Sequence, residues 1–325
     1  MPILYLLQPK AVLSKKQEAF KVAIGQEDGS WSKRVVPAQT IEQIVLMGHP
    51  TVTGEALTYA LDLGISVHYL SIFGKYLGSA LPGYSRNGRL RLAQYALYCN
   101  ESDRLNCIKP IVRTKIRNQA AIISRREGNA KSLKTYAKQV KTMDSLDRLR
   151  GIEGIAARDY FASLGELFDP VWNFNGRNRR PPADPVNALL SFGYSLLQVQ
   201  VTAAVHLAGL DPYVGFLHEP NRGQPALVLD LMEEFRPLVA DRLALSLIHL
   251  KTLKPENFST SLGSCRLSDS ARKDFLKAFE DKMNEEFSHP VFQYRCTYRR
   301  AIELQARLFA RHLLEDIPYQ PLYLR

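Results

Sequence analysis

Three carboxylates and one imidazole raise the question of chemistry. The stretch GFLHEPNRGQPALVLDLMEEFRP, residues 215–237, sets His218 in a Gly/Asn/Pro-rich loop and follows it with Asp230, Glu233 and Glu234 among Leu229, Leu231, Met232 and Phe235. On a helix, spacings of three and four put these acids on one face or adjoining faces, and Leu229, Met232 and Phe235 can pack inward. Acids this close repel one another unless a cation lies between them. A metal ion, Arg236 or Arg242 would serve. Pro237 is expected to push Arg236 out of helical geometry and to kink the chain.

Glu153 is a candidate partner. It stands in RGIEGIAARDYF, between Ile152 and Ile155, where an acid is costly to bury unless paired or metal-bound. Gly154 beside it leaves room for a close approach. Two carboxylates and one imidazole suit Mg²⁺ or Mn²⁺ better than structural zinc. Such an ion polarises a phosphoryl oxygen and lowers the pKa of a bound hydroxyl. The residues alone leave other readings open. Glu153 could pair with Arg150 or Arg158, the acids could serve a helix dipole, and His218 could be an ordinary loop histidine. The separations of 65 residues from Glu153 to His218 and 15 from His218 to Glu233 match no short metal motif. Glu234 is expected to form a salt bridge. His206 reads as a core histidine or a support behind the site, and His49 and His68 have no expected catalytic role.

The elements that must position these residues fall into two parts. Residues 1–85 read as β, with one short helix in TGEALTYALDLG that Thr53 caps and Gly64 closes. An Asp-Gly turn joins two strand-like runs in AFKVAIGQEDGSWSKRVVP. Residues 86–325 read as helical almost throughout. Asp184 and Pro185 start a mostly apolar helix, DPVNALLSFGYSLLQVQVTAAVHLAGL, expected at the centre of the second domain. Amphipathic helices are expected over 268–285 and 294–315. The expected fold class is α+β: a small N-terminal β-sandwich-like domain, then a larger all-α domain.

With 46% hydrophobic and 23% charged residues the chain is ordinary globular protein. No run approaches 18 consecutive apolar residues, so no membrane span is expected. The first residues, MPILYLLQPKAVLSKK, lack a basic region ahead of the apolar ones and read as a strand, which makes the cytoplasm the default compartment. Cys99, Cys107, Cys265 and Cys296 form no C-x-x-C pair and read as plain thiols.

The net charge of +11 is concentrated. Residues 86–150 hold 16 Lys/Arg against 5 acids, and the remainder of the chain balances at 27 of each, so the whole excess sits in one fifth of the length. A localised basic field points to a polyanion, nucleic acid first.

Taken in order, RGIEGIAARDYF, NGRNRRPPADPVNALLSFGYSLL and GLDPYVGFLHEPNRGQPALVLDLMEEFRP resemble the core motifs of the CRISPR-associated integrase/endonuclease of the adaptation module, the Cas-one family. IEQIVLMGHPTVTGEALTYALDLGISVHYLSIFGKYLG is similar to that family's β domain. The resemblance implies a metal site of Glu153, His218 and Glu233, with Mg²⁺ or Mn²⁺ bound. It implies an active-site asparagine at Asn187 and an auxiliary acid at Asp230. It further implies DNA contacts from Arg236, Tyr194, Arg177, Arg179 and Arg180, and from Arg113, Lys115 and Arg117 on the basic helices. The implied partners are the DNA fragment to be integrated, the CRISPR repeat and leader, a second copy through domain 1–85, and a dimer of the second adaptation protein, Cas-two. The implied reaction joins the 3′-hydroxyl of a short fragment to the repeat. A non-catalytic DNA-binding scaffold and a metal-dependent phosphodiesterase outside CRISPR are the alternative readings.

Overall fold

A computed structural model describes residues 3–8, 10–26, 28–83, 87–178, 181–220, 223–261, 263–315 and 317–324. Arg179 and Arg180, two of the expected DNA contacts, lie outside the described residues. The chain divides into two compact units, Met1–Ser85 and Arg86–Arg325.

The first unit carries eight strands: β1 (Ile3–Leu6), β2 (Ala11–Lys16), β3 (Ala19–Gly25), β4 (Trp31–Pro37), β5 (Gln43–Met47), β6 (Thr51–Val52), β7 (Ser66–Leu70) and β8 (Tyr76–Ala80). They form two four-stranded sheets, ordered β1-β5-β7-β8 and β4-β3-β2-β6. Leu6, Ile44, Leu46 and Val67 of the first sheet share one buried cluster with Leu13, Phe20 and Val22 of the second, which is the sandwich-like arrangement expected. Helix α1 (Gly54–Asp62) contributes Ala56 and Ala60 to that cluster. Thr53 caps it through its side-chain oxygen, which accepts from the Ala56 N–H at 3.2 Å. Gly64 then adopts φ of +76°, a conformation open to glycine at little cost.

The second unit is built from α2 (Gly88–Cys99), α3 (Glu101–Arg125), α4 (Lys131–Gln139), α5 (Leu146–Gly165), α6 (Pro185–Ala208), α7 (Ala226–Met232), α8 (Arg242–His249), α9 (Asp269–Asn284) and α10 (Tyr298–Glu315). Two short hairpins interrupt the helices: β9 (Phe258–Ser261) with β10 (Ser264–Leu267), and β11 (Glu286–Ser288) with β12 (Arg295–Thr297). The second hairpin takes residues 295–297 from the helix expected over 294–315. These strands are only three or four residues long, too short for a period-two pattern to emerge from the sequence.

Asp184 and Pro185 do start α6: the Asp184 side chain accepts from the Asn187 N–H at 2.8 Å. By length and composition α6 is apolar enough to cross a membrane, and 78% of its apolar stretch is buried inside the unit, the setting of a core helix. Pro237 does not break the chain as expected. Arg236 keeps helical angles (φ −50°, ψ −52°), and the missing Pro237 N–H is absorbed by a widened π turn over Pro237–Asp241. There the Asp241 N–H reaches back five residues to the Arg236 carbonyl at 3.1 Å.

Candidate active site

The histidine loop is pinned from three sides. Asp230 is wholly buried, and its carboxyl accepts from the N–H groups of Phe216, Leu217 and His218. Arg104 donates to the Phe216 carbonyl at 2.7 Å, and Arg150 to the Leu217 carbonyl at 3.1 Å. Both arginines also pair with Glu219. Gly215 permits this approach, because a Cβ there would come within 2.5 Å of the Ala226 carbonyl carbon.

Asp230 also accepts from His218 Nδ1 at 2.7 Å. This hydrogen bond fixes ring orientation and leaves Nε2 as the lone-pair nitrogen of the neutral ring. His218 Nε2 lies 3.9 Å from Glu233 Oε1, and the ring remains 29% exposed. Asp230 is therefore not an acid facing an ion: its oxygens are spent on the loop and on the imidazole behind which it sits.

Glu153 and Glu233 come together around a cation expected at the DNA surface. Lys115 Nζ contacts Glu153 Oε1 and lies 2.7 Å from Glu233 Oε2. Its side chain is only 8% exposed, so it does not present itself to a phosphate backbone. Burial favours a neutral amine, but Glu233 and Glu153 prevail and hold the Lys115 pKa above its ordinary value. Burial likewise pushes the Glu233 carboxyl up, and Arg236, Lys115 and His218 together overcome it, bringing it down to about 2. Arg150 and Arg158, the expected partners of Glu153, pair instead with Glu219 and Asp147, and with Asp159. Arg242 acts on Tyr298, whose pKa it lowers against burial, and forms no ion pair with these acids among the described residues.

Among the described residues, no three His, Cys, Asp or Glu side chains are gathered in ligating geometry. The reason is local, since the ammonium already stands between the two carboxylates. The donor chemistry nevertheless fits a hard divalent cation. Glu233 is a buried carboxylate held ionised by its cationic neighbours, His218 keeps Nε2, and Glu153 is partly exposed. Gly154 borders open space, because a Cβ there would meet no atom within 4 Å. The room expected beside Glu153 thus opens to solvent and is not a tight contact within the chain.

Arg236 is largely enclosed, with 13% of its side chain exposed. It stands 3.6 Å from Glu233 Oε1 and 4.9 Å from the centre of the Tyr194 ring. Arg177 lies 5.3 Å from the same ring. The Tyr194 hydroxyl does not face outward as a DNA contact would; it donates to Asp241 at 2.6 Å. Asn187 is also corrected. It is wholly buried and spends its whole amide inside the protein. Its oxygen accepts from Arg177 (2.7 Å) and the Asn178 N–H (3.1 Å), and its nitrogen donates to Asp184 (2.6 Å) and the Gly176 carbonyl (2.9 Å). Within the protein, Asn187 therefore positions Arg177 and the Gly176–Asn178 loop.

Asp241 was invisible to the sequence reading. The π turn drives it inward, where Tyr160 (2.8 Å) and Tyr194 (2.6 Å) donate to it. Burial pushes its pKa from 3.8 up to about 6 against those two hydrogen bonds. A carboxyl whose pKa rises on folding favours the folded state while protonated, and loses that advantage as pH climbs through the folded value. The rise from 3.8 to about 6 corresponds to about 3 kcal/mol. Asp241→Asn keeps a hydrogen-bonding group between the tyrosines. It is expected to flatten the decline in urea midpoint between about pH 4 and pH 6. An unaltered decline would place the effect elsewhere.

A model of the CRISPR-associated protein Cas1 family matches residues 4–281. The CRISPR-associated endonuclease Cas1 3 of Thermus thermophilus is 37% identical over 325 residues, covering 99% of this chain and 97% of that protein. The solved structure of a Cas1 protein from Thermotoga maritima superposes with a TM-score of 0.85 at 28% identity, covering 97% of each chain. A casposase bound to integration product shares the fold, with a TM-score of 0.89 at 24% identity over 98% of this chain and 93% of that one. The chain belongs to the Cas1 family.

Proposed function

We propose that this Cas1-family enzyme joins the 3′-hydroxyl of short DNA fragments to a CRISPR repeat by divalent-metal-dependent transesterification, and cuts DNA through the same site. The observation that carries the reading is that Glu153 and Glu233 meet at Lys115 while His218 Nε2 lies 3.9 Å from Glu233, in a chain 37% identical to a named Cas1 endonuclease. Glu153, Glu233 and His218 Nε2 would hold Mg²⁺ or Mn²⁺, which supplies charge at the phosphoryl oxygens and a more acidic hydroxyl. Asp230 holds the imidazole in the tautomer such a role needs. Lys115 and Arg236 already offset the charge of Glu153 and Glu233. A divalent ion therefore brings an excess of positive charge that DNA phosphates balance, so metal and DNA should bind in concert. The phosphodiester attacked by the fragment's hydroxyl releases a 3′-hydroxyl on the repeat strand, so no protein nucleophile is required.

The N-terminal unit is proposed to mediate a homodimer. Trp31, Val35, Phe73 and Leu77 are each about half exposed or more, apolar side chains that a second copy would cover. A Cas2 dimer would complete the assembly.

One observation favours a second reading. Lys115 neutralises both acids without a metal, as it would in a DNA-binding scaffold with structural carboxylates. Joining of a short duplex to a repeat-containing plasmid separates the two. Wild type is expected to join only with Mg²⁺ or Mn²⁺, and Glu153→Ala and His218→Ala to fall to the metal-free level. Equal joining by the variants would sink the metal site. DNA retention with no joining by wild type would support the scaffold.

A further inference from the structure

The basic excess of residues 86–150 does not form one uniform face. Lys115 is buried between acids, while Arg104, Arg148 and Arg150 pair with neighbouring carboxylates. Five other cations line a single cavity of about 510 Å³ within the Arg86–Arg325 unit: Arg113, Arg117 and Arg125 of α3, and Lys134 and Lys138 of α4. No acid lines it. None of the five forms an ion pair among the described residues, and Arg113 Nε is buried without a hydrogen-bond partner. Cations held this close without counter-charge repel one another, and an anion relieves that cost.

The cavity offers more than charge. Ala120, Ala121 and Ala137 give it an apolar floor, and Tyr323 closes one side, its ring centre 3.6 Å from the Arg117 guanidinium carbon. Tyr323 is set in place by its neighbours. The Leu322 N–H donates to Glu234, and the Leu324 N–H donates to Asn118 at 3.3 Å. An aromatic ring held in advance loses little entropy when a flat ligand stacks on it. The volume suits a small ligand, and the mouth opens to solvent at Arg125, Lys134 and Lys138. Arg117 lies about 200° around α3 from Lys115, so this cavity and the carboxylate site use different faces of the helix.

We propose that the cavity binds a phosphorylated nucleoside, with the phosphate among Arg113, Arg125, Lys134 and Lys138 and the base against Tyr323. Free nucleotide and the 5′-phosphorylated end of a single strand carry the same chemistry. The proposal stands apart from the joining reading, so either can fail alone.

The test is calorimetric titration of the full chain with AMP, with inorganic phosphate, and with a 5′-phosphorylated single-stranded pentanucleotide. Binding of AMP assigns the free nucleotide, and binding of the pentanucleotide alone assigns the strand end. In either case Lys134→Glu/Lys138→Glu, at two exposed positions, should weaken binding about tenfold or more. Tyr323→Ala should weaken it about fivefold or more, and His218→Ala should leave it unchanged. Melting by circular dichroism confirms that the variants fold. Absence of binding, affinity indifferent to these two variants in folded protein, loss in His218→Ala, or inorganic phosphate binding as tightly as AMP would each overturn the proposal.

Discussion

Lys115→Met is expected to destabilise the protein by about 3–5 kcal/mol, because it leaves buried carboxylates without their cation. Glu233 is 3% exposed and Glu153 24% exposed, so water can relieve only one of them. Glu233 has a carboxyl pKa of about 2, below its ordinary 4.5, which means that its charge stabilises the fold above about pH 4.5 and that this contribution is lost as pH falls toward 2. Arg236 and His218 remain in the variant, so part of the effect survives. The same substitution removes the ammonium from between Glu153 and Glu233, two of the proposed ligands. Mg²⁺ or Mn²⁺ should therefore stabilise Lys115→Met against urea, by about 3 kcal/mol at a hundredfold excess over its Kd, and at equal metal concentration by more than it stabilises wild type. A variant as stable as wild type, and unresponsive to metal, would remove Lys115 from the electrostatics of the site.

Glu234→Ala is the second large effect, and its size depends on pH. Glu234 does not form the salt bridge expected for it. It is wholly buried, and its carboxyl accepts from the Tyr319 hydroxyl (2.5 Å), Gln305 Nε2 (3.0 Å) and the Leu322 N–H. Gln305 Nε2 keeps the Tyr319 hydroxyl and the Gln320 carbonyl as acceptors, but truncation leaves the Tyr319 hydroxyl and the Leu322 N–H unpaired, at about 1–3 kcal/mol each for groups that stay buried, and frees the 319–324 segment that carries Tyr323. Burial pushes the Glu234 pKa from 4.5 up to about 7 against those same hydrogen bonds. The group thus favours the fold most when protonated, below about pH 4.5, and less as pH rises through 7. The loss in Glu234→Ala should accordingly be greater at pH 5 than at pH 8, by as much as about 3 kcal/mol. Urea melts at the two pH values measure the difference. Equal losses would mean that the carboxyl is not the group that titrates.

Much of the site was legible because its signals are local. Apolar residues at helical spacing around Asp230, Glu233 and Glu234 marked a helix with misplaced charge, and a buried carboxylate requires a partner. Glu153 stood out for the same reason. Roles were harder to read than positions. The family resemblance implied an active-site role for Asn187 and an auxiliary one for Asp230. Both are consumed by hydrogen bonds to loops, at Gly176 and Asn178 in one case and at Phe216 to His218 in the other. The partners are backbone amides and carbonyls, which carry no residue identity and so leave no mark in a sequence.

By itself the sequence determined the features that depend on neighbours along the chain. These are the Thr53 and Asp184 caps, the apolar length of α6, the strands of the first unit, the concentration of positive charge over 86–150, and the carboxylates that must be compensated. Tertiary structure alone decided which cation compensates them. Lys115 is one of 16 basic residues in that region and has no local feature to distinguish it. The packing of α3 against α5 and against the π turn turns it inward to Glu153 and Glu233. The same helix leaves Arg113, Arg117 and Arg125 along another cavity. Charge is a property of composition, but whether a charge meets a carboxylate, a phosphate or water depends on which helix faces are covered, and coverage is set by residues distant in sequence.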